Sequence, residues 1–177
     1  MKTPVYIASM ASLSPLGIQQ DEVWENYKSP KHFITRHIFD GNAALAAFLP
    51  ASLKEEINNL REFSPKYKHL DKSVLYALLA SREAVKRAGW KSGQDVGINI
   101  GSSRGATGLF EDYYRSFLSS GKAETFASPS TTLGNISSWV AQDLKSGGPE
   151  FSHSVTCSTE FTCRIKCSSV ASKRDGK

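Results

Sequence analysis

The chain contains 177 residues, 40% of them hydrophobic and 10% aromatic, which is typical of one globular domain with a core of its own. Its formal net charge is +5, but residues 164–177 carry five of the 22 basic and one of the 17 acidic side chains, so the body of the chain is nearly neutral. This distribution argues against nucleic-acid binding through a basic face.

The composition also indicates where in the cell the protein is expected. No run of apolar residues approaches the roughly 20 that a membrane-spanning helix needs. Residues 5–16 are too short and too rich in serine for the apolar part of a signal peptide, so we expect neither kind of segment. The three cysteines, Cys157, Cys163 and Cys167, show neither disulfide-framework nor zinc-site spacing, and we expect a reducing, cytoplasmic location and no bound metal.

The first third of the chain predicts one strand and two helices. Residues 4–10 have the alternation of a strand and lead into a turn rich in serine, proline and glycine. A helix is predicted to start at Asp21. Residues 29–42 are predicted to be irregular, with their histidines as solvated loop residues rather than ligands. Ser52 begins a Ser-Leu-Lys-Glu capping box, which predicts a helix that runs to about Phe63.

The helix that follows Asp71 has the clearest boundaries in the sequence. Asp71 is its predicted N-cap and Gly89 its predicted stop. Apolar residues recur at helical spacing between the two and predict one buried face, formed by Val74, Leu75, Leu78, Leu79 and Val85. Residues 95–102 are then rich in isoleucine and valine and predict a strand.

A glycine-rich turn follows that strand, over residues 101–108. It has neither the Lys-Ser/Thr pair of a phosphate-binding P-loop nor the three-glycine spacing of a dinucleotide site. We therefore favour a tight turn that lets the next helix pack on the strand, and phosphate binding is the alternative.

Two amphipathic helices are predicted between this turn and Gly147. The first has an aromatic stripe at helical spacing, formed by Phe110, Tyr113, Tyr114, Phe117 and Leu118. Such a stripe fits a core or an interface better than a cofactor site. The second helix is predicted to start at Ser128, and its apolar face consists of Leu133, Ile136, Val140 and Leu144.

Residues 150–159 are predicted to form a strand that delivers Cys157 to the start of a helix, where Ser158 and Thr159 suit the first turn. A thiol at a helix N-terminus faces unpaired N–H groups, which favour the nucleophilic thiolate. The alternative is a small, buried hydrophobic side chain. His153 is not expected to be its base, because four strand residues separate the two by roughly 13 Å.

Strands that alternate with helices predict an α/β layered domain with a mainly parallel central sheet flanked by helices. Five segments between residues 3 and 160 also match one family in order. They are the opening strand and its Ser-Pro-Leu-Gly turn (5–17), Trp24 in the first helix, the strand at 95–103, Pro-Ser-Thr-Thr at 129–132, and Gly-Pro with Val-Thr-Cys-Ser-Thr at 148–159. Together they resemble the N-terminal half of the β-ketoacyl-ACP synthases, which are thiolase-like condensing enzymes. The resemblance implies a thiolase-like layered fold with Cys157 as the nucleophile.

The resemblance also implies a reaction. Cys157 would accept an acyl group from acyl carrier protein as a thioester. Decarboxylation of a carrier-bound malonyl unit would give an enolate, whose Claisen attack on the thioester yields a 3-oxoacyl product, with the Cys157 N–H as one oxyanion donor. No cofactor is implied, because the substrates are carried on the phosphopantetheine of acyl carrier protein. The implied partners are that carrier protein and a second subunit in a homodimer or heterodimer.

Two departures from the family limit this implication. The family's two active-site histidines, its lysine and its second oxyanion donor lie in a C-terminal half, and no residue of this sequence corresponds to them. After Thr159 the family continues with a helix of small residues and a buried strand, whereas this chain has Glu160, whose carboxylate would raise the pKa of the thiol. We therefore predict a partial synthase domain at residues 1–160 and an aberrant basic tail at residues 161–177, as in a truncated or frameshifted copy.

Two functions remain open at this point. The first is that of a 3-oxoacyl-ACP synthase-like acyltransferase of fatty-acid or polyketide synthesis, which we expect to be inactive as this chain alone. The alternative is a non-catalytic truncated remnant or a partner subunit that binds acyl carrier protein. Because the family's catalytic histidines have no counterpart here, the sequence leaves open whether the chain acts as an enzyme.

Overall fold

The computed structural model describes residues 6–91, 93–155 and 159. The chain divides into two compact units. The first is Met10–Lys68, and the second contains the residues from His69 onward together with those up to Ser9. In their described parts, the first unit has two helices and a hairpin, and the second has four helices and a pair of parallel strands.

Helix α1 spans Gln20–Lys28 in the first unit, so it begins one residue before the predicted start. Two acidic residues in its first turn and a lysine in its last turn complement the helix dipole. The strand predicted over residues 4–10 is wrong over residues 6–10, which form no strand here, and residues 4 and 5 lie outside the described residues.

A β-hairpin follows, in which strand β1 (Thr35–Phe39) pairs antiparallel with strand β2 (Asn42–Ala46). The turn residues Asp40 and Gly41 both have positive φ, 47° and 82°. This is the geometry of a type I′ hairpin turn, which the Asp-Gly pair favours. The prediction of an irregular segment is therefore wrong over residues 35–42 and confirmed over residues 29–34, and the Asp-Gly pair was the local signal for the hairpin.

Helix α2 spans Ala51–Phe63 and ends where the sequence predicted. Pro50 occupies its N-cap position, so Ser52 lies inside the first turn and the capping-box prediction is wrong. The helix is amphipathic, and its buried residues share one face at helical spacing: Leu53, Ile57 and Leu60.

Helix α3 spans Lys72–Arg87 in the second unit and has the boundaries that the sequence predicted. The Asp71 carboxylate accepts a hydrogen bond from the Ser73 N–H over 2.7 Å, which confirms Asp71 as the N-cap. The predicted buried face is confirmed at Val74, Leu75, Leu78 and Leu79, of which the first three are 0% exposed. Full burial of such a side chain contributes about 1.5–3 kcal/mol, so this face is a main part of the core of the unit.

Three further helices follow: α4 at Thr107–Ser120, α5 at Ala127–Thr131 and α6 at Gly134–Leu144. The single helix predicted to start at Ser128 is thus two helices, because Thr132 is extended, with φ −65° and ψ 149°. The predicted apolar face is confirmed as buried in α6 at Ile136 and Val140. Among the described helices, none is long and apolar enough to cross a membrane.

Strand β3 (Ile98–Gly101) pairs in parallel with strand β4 (Glu150–His153), which confirms both predicted strands with shorter ends. Helix α6 packs on both strands and on α3. Parallel strands need a crossover connection, and here the chain between them forms helices. The α/β class predicted from the sequence is therefore confirmed.

A half-buried ion pair joins α3 to α6. The Arg82 guanidinium donates to both carboxylate oxygens of Asp143, over 2.8 Å from Nε and 2.6 Å from Nη2. The Asp143 side chain is only 5% exposed. A two-pronged contact of this kind fixes the rotation of one helix against the other as well as their distance.

Candidate functional site

The candidate site lies where the carboxyl ends of β3 and β4 meet at one edge of the parallel pair. Beyond the last paired residues, the Ser102 N–H donates to the His153 carbonyl over 3.2 Å. One residue further along, the Ser154 hydroxyl donates to the Ser103 carbonyl over 3.3 Å. The two backbone segments that follow the strands therefore stay together as far as Ser103 and Ser154.

Strand β4 is also fixed from the helix that packs on it. The Ser152 hydroxyl donates to the Ser137 hydroxyl over 2.6 Å. Ser137 lies in α6 and is 3% exposed, so this contact joins strand and helix inside the unit. Buried hydroxyls need such partners, and the pair fixes the rotation of β4 against α6.

Two described residues after β4, Val155 and Thr159, are joined by a hydrogen bond. The Val155 N–H donates to the Thr159 hydroxyl over 2.8 Å, although four residues separate the two. Thr159 is helical and 5% exposed, which agrees with the prediction that a helix begins after the cysteine. Cys157, the predicted nucleophile, lies outside the described residues, as do Thr156, Ser158 and the predicted tail at residues 161–177.

The histidines of the chain are spread over its two units. His153 belongs to β4 and pairs with Gly101, and its predicted separation from Cys157 stays a prediction. His37 lies in a strand rather than in a loop, with its Nε2 atom 2.7 Å from the Thr35 hydroxyl, so its prediction as a loop residue is wrong. Among the described residues, no group of three or more His, Cys, Asp or Glu is arranged to hold a metal ion.

The glycine-rich turn leads directly into α4. The Gly105 N–H donates to the Ser102 hydroxyl over 2.9 Å, which closes the turn. At the start of α4, the Leu109 N–H donates to Oδ2 of Asp71 over 3.2 Å. A carboxylate of the protein thus lies where a phosphate would bind to a helix N-terminus. This arrangement favours the tight-turn interpretation over the phosphate-loop interpretation.

The aromatic stripe of α4 is exposed. Phe110, Tyr114, Phe117 and Leu118 are 58%, 56%, 45% and 65% exposed, so the core interpretation is wrong for these four residues. The four aromatic residues of the stripe line a cavity of about 270 Å³, together with Ala127 and Thr131 of α5. The interface interpretation stays a prediction.

This chain is similar to known proteins over most of its length. The family model for the N-terminal domain of beta-ketoacyl synthase matches residues 2–165. Curated relatives include the 3-oxoacyl-[acyl-carrier-protein] synthase 2 of two Staphylococcus aureus strains, COL and MSSA476, each 26% identical over 163 residues. These matches cover 88% of this chain and 39% of each relative. The chain therefore spans well under half the length of these relatives.

Two solved structures share the fold. One is a beta-ketoacyl synthase from Burkholderia phymatum, with a TM-score of 0.65 and 18% identity over 88% of this chain and 40% of that structure. The other is the ishigamide ketosynthase/chain length factor, with a TM-score of 0.61 and 15% identity over 84% of this chain and 39% of that structure. At these identities the likeness shows the fold alone.

Proposed function

Because this chain belongs to the beta-ketoacyl synthase N-terminal domain family, as its motifs predicted, we propose that it takes part in 3-oxoacyl-ACP synthase chemistry, with Cys157 as the acyl-accepting nucleophile. The observation that carries the proposal is the family match over residues 2–165, which includes the complete strand, turn and cysteine segment. The thiolase-like α/β fold shared with two ketosynthase structures supports it.

The proposed first step is acyl transfer. The Cys157 thiolate attacks the carbonyl carbon of an acyl thioester on acyl carrier protein, the carbon–sulfur bond to the carrier breaks, and the carrier leaves as a thiolate that takes a proton from solvent. The Cys157 N–H is then one donor to the negative charge that develops on the carbonyl oxygen. The product of this step is an acyl group held as a thioester on Cys157.

The described residues around the turn support this step. Catalysis by a covalent nucleophile depends on holding the reacting atom in one geometry. Strand β4 is held by β3 along its length and by Ser137 of α6 at Ser152. The Val155–Thr159 hydrogen bond then closes the segment that contains Cys157. The cysteine is therefore flanked by anchored backbone on its N-terminal side and by a buried threonine on its C-terminal side.

The second step of the family reaction is condensation. Loss of CO2 from a carrier-bound malonyl unit gives an enolate, which attacks the acyl thioester, and the Cys157 thiolate leaves as the 3-oxoacyl product forms. The histidines, the lysine and the second oxyanion donor that the family uses here have no counterparts in this sequence. We propose that residues 1–177 by themselves support the first step, with acyl carrier protein and a second subunit as partners.

Mass spectrometry of the 177-residue chain mixed with acyl-loaded carrier protein tests the proposal. We expect a slow gain of one acyl mass on the peptide that contains Cys157, lost in Cys157→Ser and kept in the control Cys163→Ser. Equal acylation of Cys163 and Cys157 would contradict a specific nucleophile. Carrier-protein binding with no acylation at all would instead support the alternative function, a non-catalytic partner subunit.

A further inference from the structure

We propose that the cavity between α4 and α5 binds a small organic cation, an alkylated ammonium group with an apolar surface. The cavity measures about 270 Å³ and is lined by four aromatic residues of α4: Phe110, Tyr113, Tyr114 and Phe117. Glu124, in the connection between the two helices, is the one charged residue among its described lining residues. Aromatic rings beside a single carboxylate are the groups that attract such a cation.

The aromatic rings of the stripe are accessible to a ligand. The rings of Phe110 and Tyr114 are nearly parallel, with an interplanar angle of 6° and centroids 6.4 Å apart, and both side chains are exposed. A ring face attracts a cation that lies within about 6 Å of its centroid. The cation–π contacts of the described residues are at Trp24 and Phe48, so neither involves a ring of the stripe.

The residues that α5 contributes to the cavity are small and uncharged: Ala127, Ser128 and Thr131. The Thr131 hydroxyl already donates to the Ala127 carbonyl over 2.6 Å. Because the described lining residues include no lysine or arginine, the lining as a whole carries a negative charge. This charge favours a cationic ligand over a neutral or an anionic one.

The Glu124 carboxylate is available to balance the charge of such a ligand. Its residue is held at the start of α5, where the Glu124 carbonyl accepts from the Ala127 N–H over 3.1 Å. In the described part of the chain, the carboxylate has no ion-pair partner. Asp112 on the same stretch differs, because Arg115 lies 3.0 Å from its carboxylate.

The volume of the cavity limits the size of the ligand. A cavity of about 150 Å³ holds one benzene molecule, and drug-sized ligands occupy pockets of about 300–1,000 Å³. A cavity of about 270 Å³ therefore suits a ligand somewhat larger than benzene. Choline, with its trimethylammonium group, has this size and the required charge.

The test titrates the full 177-residue chain by calorimetry with two probes. One is choline, and the other is its neutral carbon isostere, in which a tert-butyl group replaces the trimethylammonium group. The two probes have the same shape and differ in charge. We expect choline to bind more tightly by roughly five- to thirtyfold, the preference that one or two favourable contacts to a cation supply.

Two variants test which residues cause this preference. We expect Tyr114→Leu, which keeps an apolar side chain and removes a ring, to reduce the preference for choline by roughly fivefold. Glu124→Gln, which removes the charge, should reduce it by roughly two- to fivefold. The matched controls are Tyr76→Leu on α3 and Glu111→Gln on α4, because both residues are exposed and neither lines the cavity. Both controls should keep the wild-type preference.

Three results would overturn the proposal. Equal affinity for choline and its isostere would assign the cavity to neutral apolar ligands. An unchanged preference in both Tyr114→Leu and Glu124→Gln would place choline elsewhere on the chain. Light scattering accompanies the titration, because exposed apolar rings also promote self-association. A chain that associates and takes up no choline overturns the proposal as well, since a second copy then covers the cavity.

Discussion

Asp71 accepts a hydrogen bond from the Leu109 N–H over 3.2 Å, although 38 positions separate the two residues. Its other carboxylate oxygen accepts from the Ser73 N–H at the start of α3. One carboxylate therefore caps the N-termini of both α3 and α4. Two positive helix ends are stabilised by one negative charge, so the start of α4 is fixed relative to the most deeply buried helix of its unit.

Replacement of Asp71 tests this double cap. We expect Asp71→Ala to lower the free energy of unfolding by about 2 kcal/mol, because two backbone donors lose their acceptor. Asp71→Asn keeps one carbonyl oxygen as an acceptor, and we expect it to lower the free energy of unfolding by about 1 kcal/mol. Asp112→Ala is the control, since Asp112 is exposed and pairs with the exposed Arg115, and it should change the free energy of unfolding by less than about 0.5 kcal/mol. Urea denaturation measures all three, and equal effects at Asp71 and Asp112 would contradict the double cap.

Alanine substitutions at two glycines, Gly108 and Gly134, test how closely α4 approaches Asp71. A Cβ added at Gly108 would lie 3.1 Å from Oδ2 of Asp71, whose carboxylate is held by one hydrogen bond at each oxygen, whereas a Cβ at Gly134 would meet nothing within 4 Å. Alanine normally stabilises a helix over glycine by about 0.5–1 kcal/mol. We expect that gain for Gly134→Ala and a net loss of about 1 kcal/mol for Gly108→Ala, as the cap is displaced. A gain in both variants, measured by thermal or urea unfolding, would show that Asp71 moves aside freely.

The exposed stripe of α4 predicts self-association of the isolated chain. Soluble monomers rarely expose contiguous apolar patches, and here Phe110 and Phe117 are 58% and 45% exposed on one helix face. We expect oligomers or aggregates in light scattering, reduced by the double variant Phe110→Ser with Phe117→Ser. Phe63→Ser is the matched control, because Phe63 is 78% exposed on α2 and belongs to the other compact unit. A monomeric wild-type chain, or an equal effect of the control, would contradict this prediction.

The 177-residue chain alone should not catalyse condensation. When malonyl carrier protein is added to the acylated chain, we expect no detectable 3-oxoacyl product in mass spectrometry. The groups that stabilise the enolate and complete the oxyanion hole have no counterpart here, and loss of such a cooperating set costs several orders of magnitude in rate. A full-length 3-oxoacyl-ACP synthase is the positive control. Product formed by this chain alone would require a catalytic base among its own residues.

Local signals in the sequence predicted some elements and missed others for physical reasons. Helix α3 was predictable because its cap, its apolar spacing and its stop agree. The hairpin was missed because neither β1 nor β2 alternates between buried and exposed residues, so neither has the pattern of a half-buried strand. The Asp40–Gly41 pair was the local signal that indicated the hairpin turn. The break at Thr132 was also missed, because the apolar spacing begins only at Leu133 and says nothing about the residues before it.

Contacts between distant residues set a second limit on prediction. The sequence identified Asp71 as the cap of α3, but its bond to Leu109 depends on where another helix starts. The aromatic stripe was recognisable, yet periodicity shows only that a face is apolar and not what covers it. At the candidate site, the helical state of Thr159 was predicted and its bond to Val155 was not. Cys157 lies outside the described residues.

The parallel register of β3 and β4 has a consequence for the order of folding. Ser103 and Ser154, which meet at the end of the strand pair, are 51 positions apart, and the chain between them includes α4, α5 and α6. Such a pairing cannot nucleate as a hairpin does, because the entropy of closing the long connection must first be offset by helix packing. The segment that contains Cys157 follows β4, so it should be among the last parts of the unit to reach its final conformation. In pulse labelling during refolding, its thiol should acquire its final reactivity only after the helices have gained their protection.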